Sequence, residues 1–322
     1  MAHSASLPNI RNSRCVFTVG SIPSRSANTP WSQDKESPLR WGSFSAQDLN
    51  RLHRLRVGIV GLGAIGGAIS KLASMLEIGH YKLADLDSYE IHNRSRQIFA
   101  KEATYGHSKV IVVADEIRQV HPKADLILFE QGVSAKNIDR FLDDIDIVID
   151  GIDIFQMNVR RMVFNRAKER NIPVVTVAPL GRTIASALFS PEGMSFDQYF
   201  RVNDQTPESE LMIRFLVGLA PKLMHRNDYI KEDLRLNEKK ATTDPRSIFV
   251  AAAELANWIE RIFLESKGNE NNPRPIPYTT QVDIRTWSKK TTTLHQGLGS
   301  PFQQVKLFWA RKQIEKALSK SP

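Results

Sequence analysis

The sequence predicts an α/β fold: a doubly wound, mostly parallel sheet with helices on both faces, followed by an α+β C-terminal extension. Three observations carry this reading. Short apolar runs rich in Val and Ile alternate with amphipathic stretches from Arg56 to about Pro191. The first run breaks at Gly61-Leu62-Gly63-Ala64-Ile65-Gly66 and resumes as a helical pattern, the strand–turn–helix punctuation of a nucleotide-binding unit. Beyond Pro191 the regular alternation lapses.

The elements follow in order. Residues 57–60 read as a buried strand, 64–78 as a helix and 81–86 as a second strand. Residues 108–120 read as a helix, with Val110, Ile111, Val113, Ala114, Ile117 and Val120 along its apolar side. A strand at 125–129, a helix near 134–142 and a strand at 145–149 come next. A long basic helix over 155–170 leads to a strand at 173–177, and 183–189 reads as a further strand, able to continue antiparallel. Residues 191–200, with Pro191, Gly193 and Ser195, read as a turn-rich loop. Residues 245–267 form a helix through Ile248, Ala252, Leu255, Ile259, Ile262 and Phe263. A strand-like stretch at 276–287 and a basic helix from Pro301 complete the extension. The expected organisation is a disordered tail over 1–38, a nucleotide-binding domain over 39–190 and an extension over 191–322.

Bulk properties narrow the classes. A chain of 322 residues suffices for one large domain or two small ones, and 41% apolar with 25% charged residues is a soluble, globular balance. No apolar run approaches the roughly 20 residues that span a bilayer. A single cysteine, Cys15, excludes an internal disulfide and a four-cysteine zinc site within one chain, and fits a reducing, cytoplasmic setting. The net charge of +9 suits acidic partners such as nucleotides or an acidic protein, and equally a plain basic surface. The tail lacks any acid before Asp34 and is rich in Ser, Pro, Asn and Arg, a composition shared by disordered segments and organellar transit peptides. The basic residues after Asn269 read as a solvated, partly packed appendage. They show none of the aromatic interleaving of a nucleic-acid reader, and no membrane contact is expected.

The chemistry concentrates at strand ends. Gly61 and Gly63 allow a tight turn and close approach of a phosphate, and Gly66 allows close packing of helix on strand. The turn does not choose between NAD and ATP. Asp85, ending the second strand, is placed to accept hydrogen bonds from ribose hydroxyls of either. Arg94 and Arg96, flanked by Asn93 and Gln97, offer donors to a triphosphate whose charge shifts during reaction, a need a hydride-transfer site lacks. Lys109 falls in the first turn of a helix, where a cation opposes the macrodipole unless an anion lies nearby. Asp150 and Asp153 follow Ile147-Val148-Ile149 and are expected at the ligand edge, Asp153 serving as a Mg²⁺ ligand or as a helix N-cap.

Taken together these motifs resemble the ThiF/MoeB/HesA (E1-like) superfamily of ATP-dependent adenylyltransferases. The carrying residues are the glycine turn, the D-x-D…N-x-x-R-Q run from Asp85 to Gln97, Lys109 and the D-x-x-D ending at Asp153. The resemblance implies that Gly61, Gly63 and Gly66 line ATP, that Asp85 holds the ribose and that Asp87 belongs to the nucleotide-binding set. It implies phosphate contacts from Asn93, Arg96, Gln97 and Lys109, with Arg96, Lys109 and Asp153 catalytic and Asp153 binding Mg²⁺. It further implies a homodimer, an arginine donated by the partner's N-terminal segment, and a ubiquitin-like carrier protein, peptide or small acid as substrate. Arg40 and Arg51 are the candidates for that arginine, but neither lies in the family's arginine-tyrosine context and the role stays open. Three departures limit it. Ala64 replaces a frequent glycine, Ile154 stands where asparagine is common, and the absence of both CxxC pairs and any downstream cysteine leaves a zinc-less chain without the thioester step. A catalytically inactive partner subunit and an NAD-dependent oxidoreductase are the alternative readings.

Overall fold

The computed structural model describes residues 44–228, 243–264 and 274–318. The tail over 1–38, Cys15 and Arg40 lie outside them. Eight strands form one sheet in the order β3-β2-β1-β4-β5-β6-β7-β8. They are β1 (Arg56–Val60), β2 (His80–Ala84), β3 (Asp125–Phe129), β4 (Ile147–Asp150), β5 (Val174–Leu180), β6 (Thr183–Phe189), β7 (Tyr278–Asp283) and β8 (Ser288–Thr293). The first five pair in parallel, and β6, β7 and β8 continue antiparallel from β5. The mostly parallel α/β fold expected from the alternation is therefore the fold observed, including the antiparallel turn-back at β6.

Helices cover both faces, and strand periodicity explains how. Ile147, Ile149, Val175 and Val177 join one apolar core, while Val148 and Val174 join the other. Successive side chains on a strand point to opposite faces, so a strand covered on both sides is apolar throughout. The first core is closed by α1 (Ala46–Arg54), α2 (Ala64–Met75), α3 (Lys109–Val120) and α8 (Pro245–Phe263). Trp258 of α8 lies there with its indole N–H donating to Ser186 Oγ at 2.6 Å, so a large ring is buried with its one donor satisfied. The second core is closed by α4 (Ile138–Leu142), α5 (Met157–Glu169), α6 (Phe196–Phe200) and α7 (Glu208–Leu219), with α9 (Pro301–Leu318) packed on α7. Phe189 of β6 meets Phe164, Phe196, Tyr199 and Phe200 at ring-centroid distances of 5.0–6.2 Å.

Several expectations need correction. The loop predicted over 191–200 ends in α6, whose N-cap Ser195 and Gln198 form a reciprocal capping box, and Arg201 closes it in the left-handed region at φ +56°. Helices α1 and α7 and strand β8 were not anticipated. The predicted strand at 276–287 stops at Asp283, because residues 284–287 turn into β8. The basic residues after Asn269, read as a solvated and partly packed appendage, include packed ones. Arg311 pairs with Glu210 at 2.5 Å, and Arg285 reaches Asp283 at 2.6 Å and Asp228 at 3.2 Å. No described helix is long and apolar enough to cross a membrane.

Strand directions decide where a ligand can sit. The carboxyl ends of β1, β2, β4 and β5 share one edge of the sheet, and the β5–β6 and β7–β8 turns lie along the same edge. There the fully buried Asp228 carboxylate accepts from Arg182 and from Arg285, clasping those two turns together.

Candidate active site

The glycine turn opens this edge. Gly61 adopts φ +85°, which favours glycine, and its N–H donates to Ala84 O at 2.8 Å. A Cβ on Gly66 would collide with the Gly61 carbonyl, and Gly63 is the N-cap of α2, so the first N–H groups of that helix face outward without a side-chain cap. Replacing Gly66 by Ala is expected to weaken ATP binding about tenfold or more, since the collision forces turn and helix apart. Calorimetric titration with ATP checks it.

Asp85 closes the floor. Its half-buried carboxylate accepts from Leu62 N–H at 2.5 Å and from Asp87 N–H at 2.8 Å, fixing the glycine turn to the end of β2. Burial pushes its pKa up, while nearby Lys109 and the two backbone donors pull it down. If Asp85 holds a ribose, as the resemblance implies, its ionised form is the stronger acceptor for two hydroxyls. ATP affinity should therefore hold steady at neutral pH and fall on acidification, beginning above the ordinary carboxylate range. Asp85→Asn should weaken binding at neutral pH and flatten that acidic limb, as titrations across pH would reveal.

The segment from Asp85 to Ser108 folds back over the turn. Tyr89 is buried with its hydroxyl 3.5 Å from Leu62 O, and Ser88 and Tyr89 bridge to Ser108 and Tyr105. Tyr89, missed by sequence reasoning, seals this fold-back. Asn93 is buried and its side-chain oxygen accepts from Glu90 N–H at 2.9 Å, shaping the single 3₁₀ turn Ile91–Asn93. Arg96 is half-buried and donates to His92 O at 2.9 Å. Gln97 is buried against the glycine turn: a Cβ on Gly63 would lie 3.5 Å from its Nε2, and its Oε1 has no hydrogen-bond partner. The orphaned atom is an acceptor, so the group of Gln97 that can donate to a phosphate is the Nε2 amide beside Gly63.

Lys109 begins α3, and its side chain, only 7% exposed, sets the ammonium 2.8 Å from the half-exposed Asp87 carboxylate. Its N–H also donates to Asp87 O at 3.0 Å. The anion that its place at a helix start calls for is thus supplied within the chain. Asp87 bonds to the lysine, whereas the sequence grouped it with the nucleotide contacts.

After β4 the two acidic residues part company. Asp150 was expected at the ligand edge but is buried on the α5 face, paired with Arg160 at 2.9 Å. The cause is strand periodicity, which sets Asp150 on the same face as Val148. Asp153 is exposed, and its carboxylate caps the following turn through Phe155 N–H at 2.9 Å. Ile154, in place of the common asparagine, packs against the second core. Gly151 lies against the glycine turn, where a Cβ would strike Gly61 O.

A divalent cation fits this donor set only together with phosphate. Among the described residues no cluster of three or more His, Cys, Asp or Glu could hold a metal ion. One exposed carboxylate plus phosphate oxygens is the ordinary arrangement for Mg²⁺.

Comparison with known proteins agrees with this geometry. The tRNA threonylcarbamoyladenosine dehydratase of Haemophilus influenzae is 24% identical over 139 residues, covering 43% of this chain and 52% of that protein. The sulfur carrier protein ThiS adenylyltransferase of Bacillus subtilis is 28% identical over 151 residues, covering 44% of each. An uncharacterized Mycobacterium tuberculosis protein, MT1398, is 31% identical over 132 residues, 41% of this chain and 18% of its own. The chain thus spans between a fifth and about half the length of these relatives. The crystal structure of Escherichia coli MccB with MccA-N7isoASN shares the fold at a TM-score of 0.57 and 17% identity, over 79% of this chain and 69% of that one. MccB has also been solved with ATP, and that structure superposes with a TM-score of 0.54 at 17% identity, over 79% and 66% of the two chains. The ThiF family model matches residues 36–231, which takes in the glycine turn and the site residues through Asp153, and the chain belongs to the ThiF family.

Proposed function

We propose that this protein is an ATP-dependent adenylyltransferase that activates a carboxylate. One observation carries the reading: the Asp85–Ser108 segment, bearing Asn93, Arg96 and Gln97, folds onto the glycine turn and ends at Lys109 on the edge that also bears Asp153. ATP laid along this edge has its ribose at Asp85 and its phosphates among the Gly63 helix start, Arg96, Gln97 and Lys109. The substrate carboxylate attacks the α-phosphorus, an O–P bond forms, and the bond to the bridging oxygen breaks to release pyrophosphate and leave an acyl-adenylate.

Catalysis rests on positioning and charge. The cations at Arg96 and Lys109 stabilise charge that builds on the phosphate oxygens, in a partly buried setting where such donors count for more than in water. Mg²⁺, held by Asp153 and phosphate oxygens, would supply further neutralisation. No residue here is suited to a covalent thioester step, so the acyl-adenylate passes to another nucleophile.

The substrate we favour is a peptide or the C-terminus of a ubiquitin-like carrier protein. A relative named for adenylating the carrier ThiS and a structural neighbour solved with MccA support that class. A homodimer belongs to the same proposal. No observation favours an inactive partner subunit, and an oxidoreductase leaves Arg96, Lys109 and Asp153 without work.

ATP–pyrophosphate exchange tests the proposal. A panel of free-carboxylate peptides, carrier-protein tails and small acids should contain at least one that drives label from pyrophosphate into ATP. tRNA belongs in it, since one relative is named for a modified tRNA nucleoside. ATP binding with no exchange for any carboxylate would favour the inactive-partner reading instead.

A further inference from the structure

A buried guanidinium holds the turn that carries Asp153. Arg160 of α5 is 4% exposed and pairs through Nε with the equally buried Asp150 carboxylate, at 2.9 and 3.2 Å. Its Nη2 donates to the Ile152 carbonyl and its Nη1 to the Asp153 carbonyl at 3.3 Å. The planar group lies 4.5 Å from the centre of the Phe215 ring, and Nη1 also meets Met157 Sδ at 3.0 Å. One side chain thus reaches the start, middle and end of the stretch 150–153. A lysine at this place offers a single nitrogen and cannot span the three acceptors.

The glycine turn has separate support. Gly61 N–H donates to Ala84 O and Gly151 N–H to Val60 O, each at 2.8 Å, and none of the Arg160 bonds reaches that turn. What Arg160 fixes is the path of Ile152 and Asp153 beyond it.

We propose that Arg160 is a positioning residue that sets Asp153 for a divalent cation, with Asp150 as its anchor and not a second ligand. The inference rests on the reading of Asp153 as a Mg²⁺ ligand. A pair that served stability alone would alter folding without altering how strongly metal couples to nucleotide. A positioning role appears in that coupling, because a supporting residue around a metal ligand typically governs metal affinity by 10- to 100-fold.

ATP affinity measured by calorimetry in EDTA and in excess Mg²⁺, with no carboxylate present, gives the coupling as a ratio. Arg160→Lys should lower that ratio by about tenfold or more while leaving the metal-free affinity within about twofold. Asp153→Ala should lower it similarly, and adding Arg160→Lys to Asp153→Ala should lower it no further. If Arg160→Lys fails to fold, by its thermal melt, the apolar replacement Asp150→Leu/Arg160→Met serves in its place and should show the same loss. A folded variant of either kind with the wild-type ratio overturns the proposal. A wild-type protein whose ATP affinity ignores Mg²⁺ overturns it together with the Asp153 assignment, while adenylation itself stands or falls on pyrophosphate exchange.

Discussion

Lys109→Ala is expected to lower ATP–pyrophosphate exchange by about 10²–10³-fold, the usual cost of removing one preorganised charge-stabilising donor. The Lys109 side chain is almost wholly buried, and the residue starts α3 and is held at both ends by Asp87, its ammonium by the carboxylate at 2.8 Å and its backbone N–H by the carbonyl at 3.0 Å. A long flexible side chain is thereby held in one place before any phosphate arrives. Alanine removes the charge and leaves Asp87 without its partner. Lys109→Arg should rescue only in part, because a guanidinium presents its charge in a planar fork and not as the compact ammonium point charge. Asp87→Asn should act in the same direction with a smaller effect, since the lysine keeps its place but loses its counter-ion. Exchange rates on folded variants, verified by circular dichroism, decide the matter. Undiminished exchange in Lys109→Ala would remove the lysine from the site.

The largest effect on stability is expected from Asp150→Ala. It leaves the Arg160 guanidinium buried beside Phe215 without its counter-charge, a change that costs about 3–5 kcal/mol in buried pairs broken from one side. Replacing both partners by apolar residues of similar volume, as in Asp150→Leu/Arg160→Met, should recover most of the loss, because an intact buried pair offsets its own desolvation only narrowly. Urea unfolding midpoints of the three proteins test this ordering. An Asp150→Ala protein as stable as wild type would mean that the pair carries no net charge burden.

Much of the nucleotide edge was legible because its residues are constrained locally. Gly61 must reach φ +85° and Gly66 must let a carbonyl approach, so the glycine turn is written in residue types. Asp85 was legible because the strand before it ends where the apolar run ends. Asp150 was misplaced although its signal was present: period-two alternation in Ile147-Val148-Ile149-Asp150 puts the acid on the face of Val148. Its partner Arg160 was hidden in a helix that reads as a basic, solvated stretch, since nothing in the sequence separates an inward arginine from an outward one.

Other losses were failures of pattern. Helix α1 is mostly polar with Leu49, Leu52 and His53 turned inward, yet Ser45 and Asp48 form a capping box that announces its start. Helix α7 carries Leu211, Phe215 and Leu219 at helical spacing and was legible in principle. Strand β8, Ser288–Thr293, has no apolar residue; β7 recruits it by pairing, which local sequence cannot signal. Lys109 at a helix start does require an anion nearby, and Asp87 is that anion. That tertiary pairing explains the lysine at the helix start without a bound phosphate.

The most direct measurement asks which bond of ATP breaks. Protein incubated with ATP and an activating carboxylate labelled with ¹⁸O, with an added amine or thiol to capture the acyl group, should release pyrophosphate and AMP. One ¹⁸O atom should pass from the carboxylate to the AMP phosphate, as mass spectrometry would show. Release of ADP with the label in inorganic phosphate would place the attack on the γ-phosphorus and contradict adenylation.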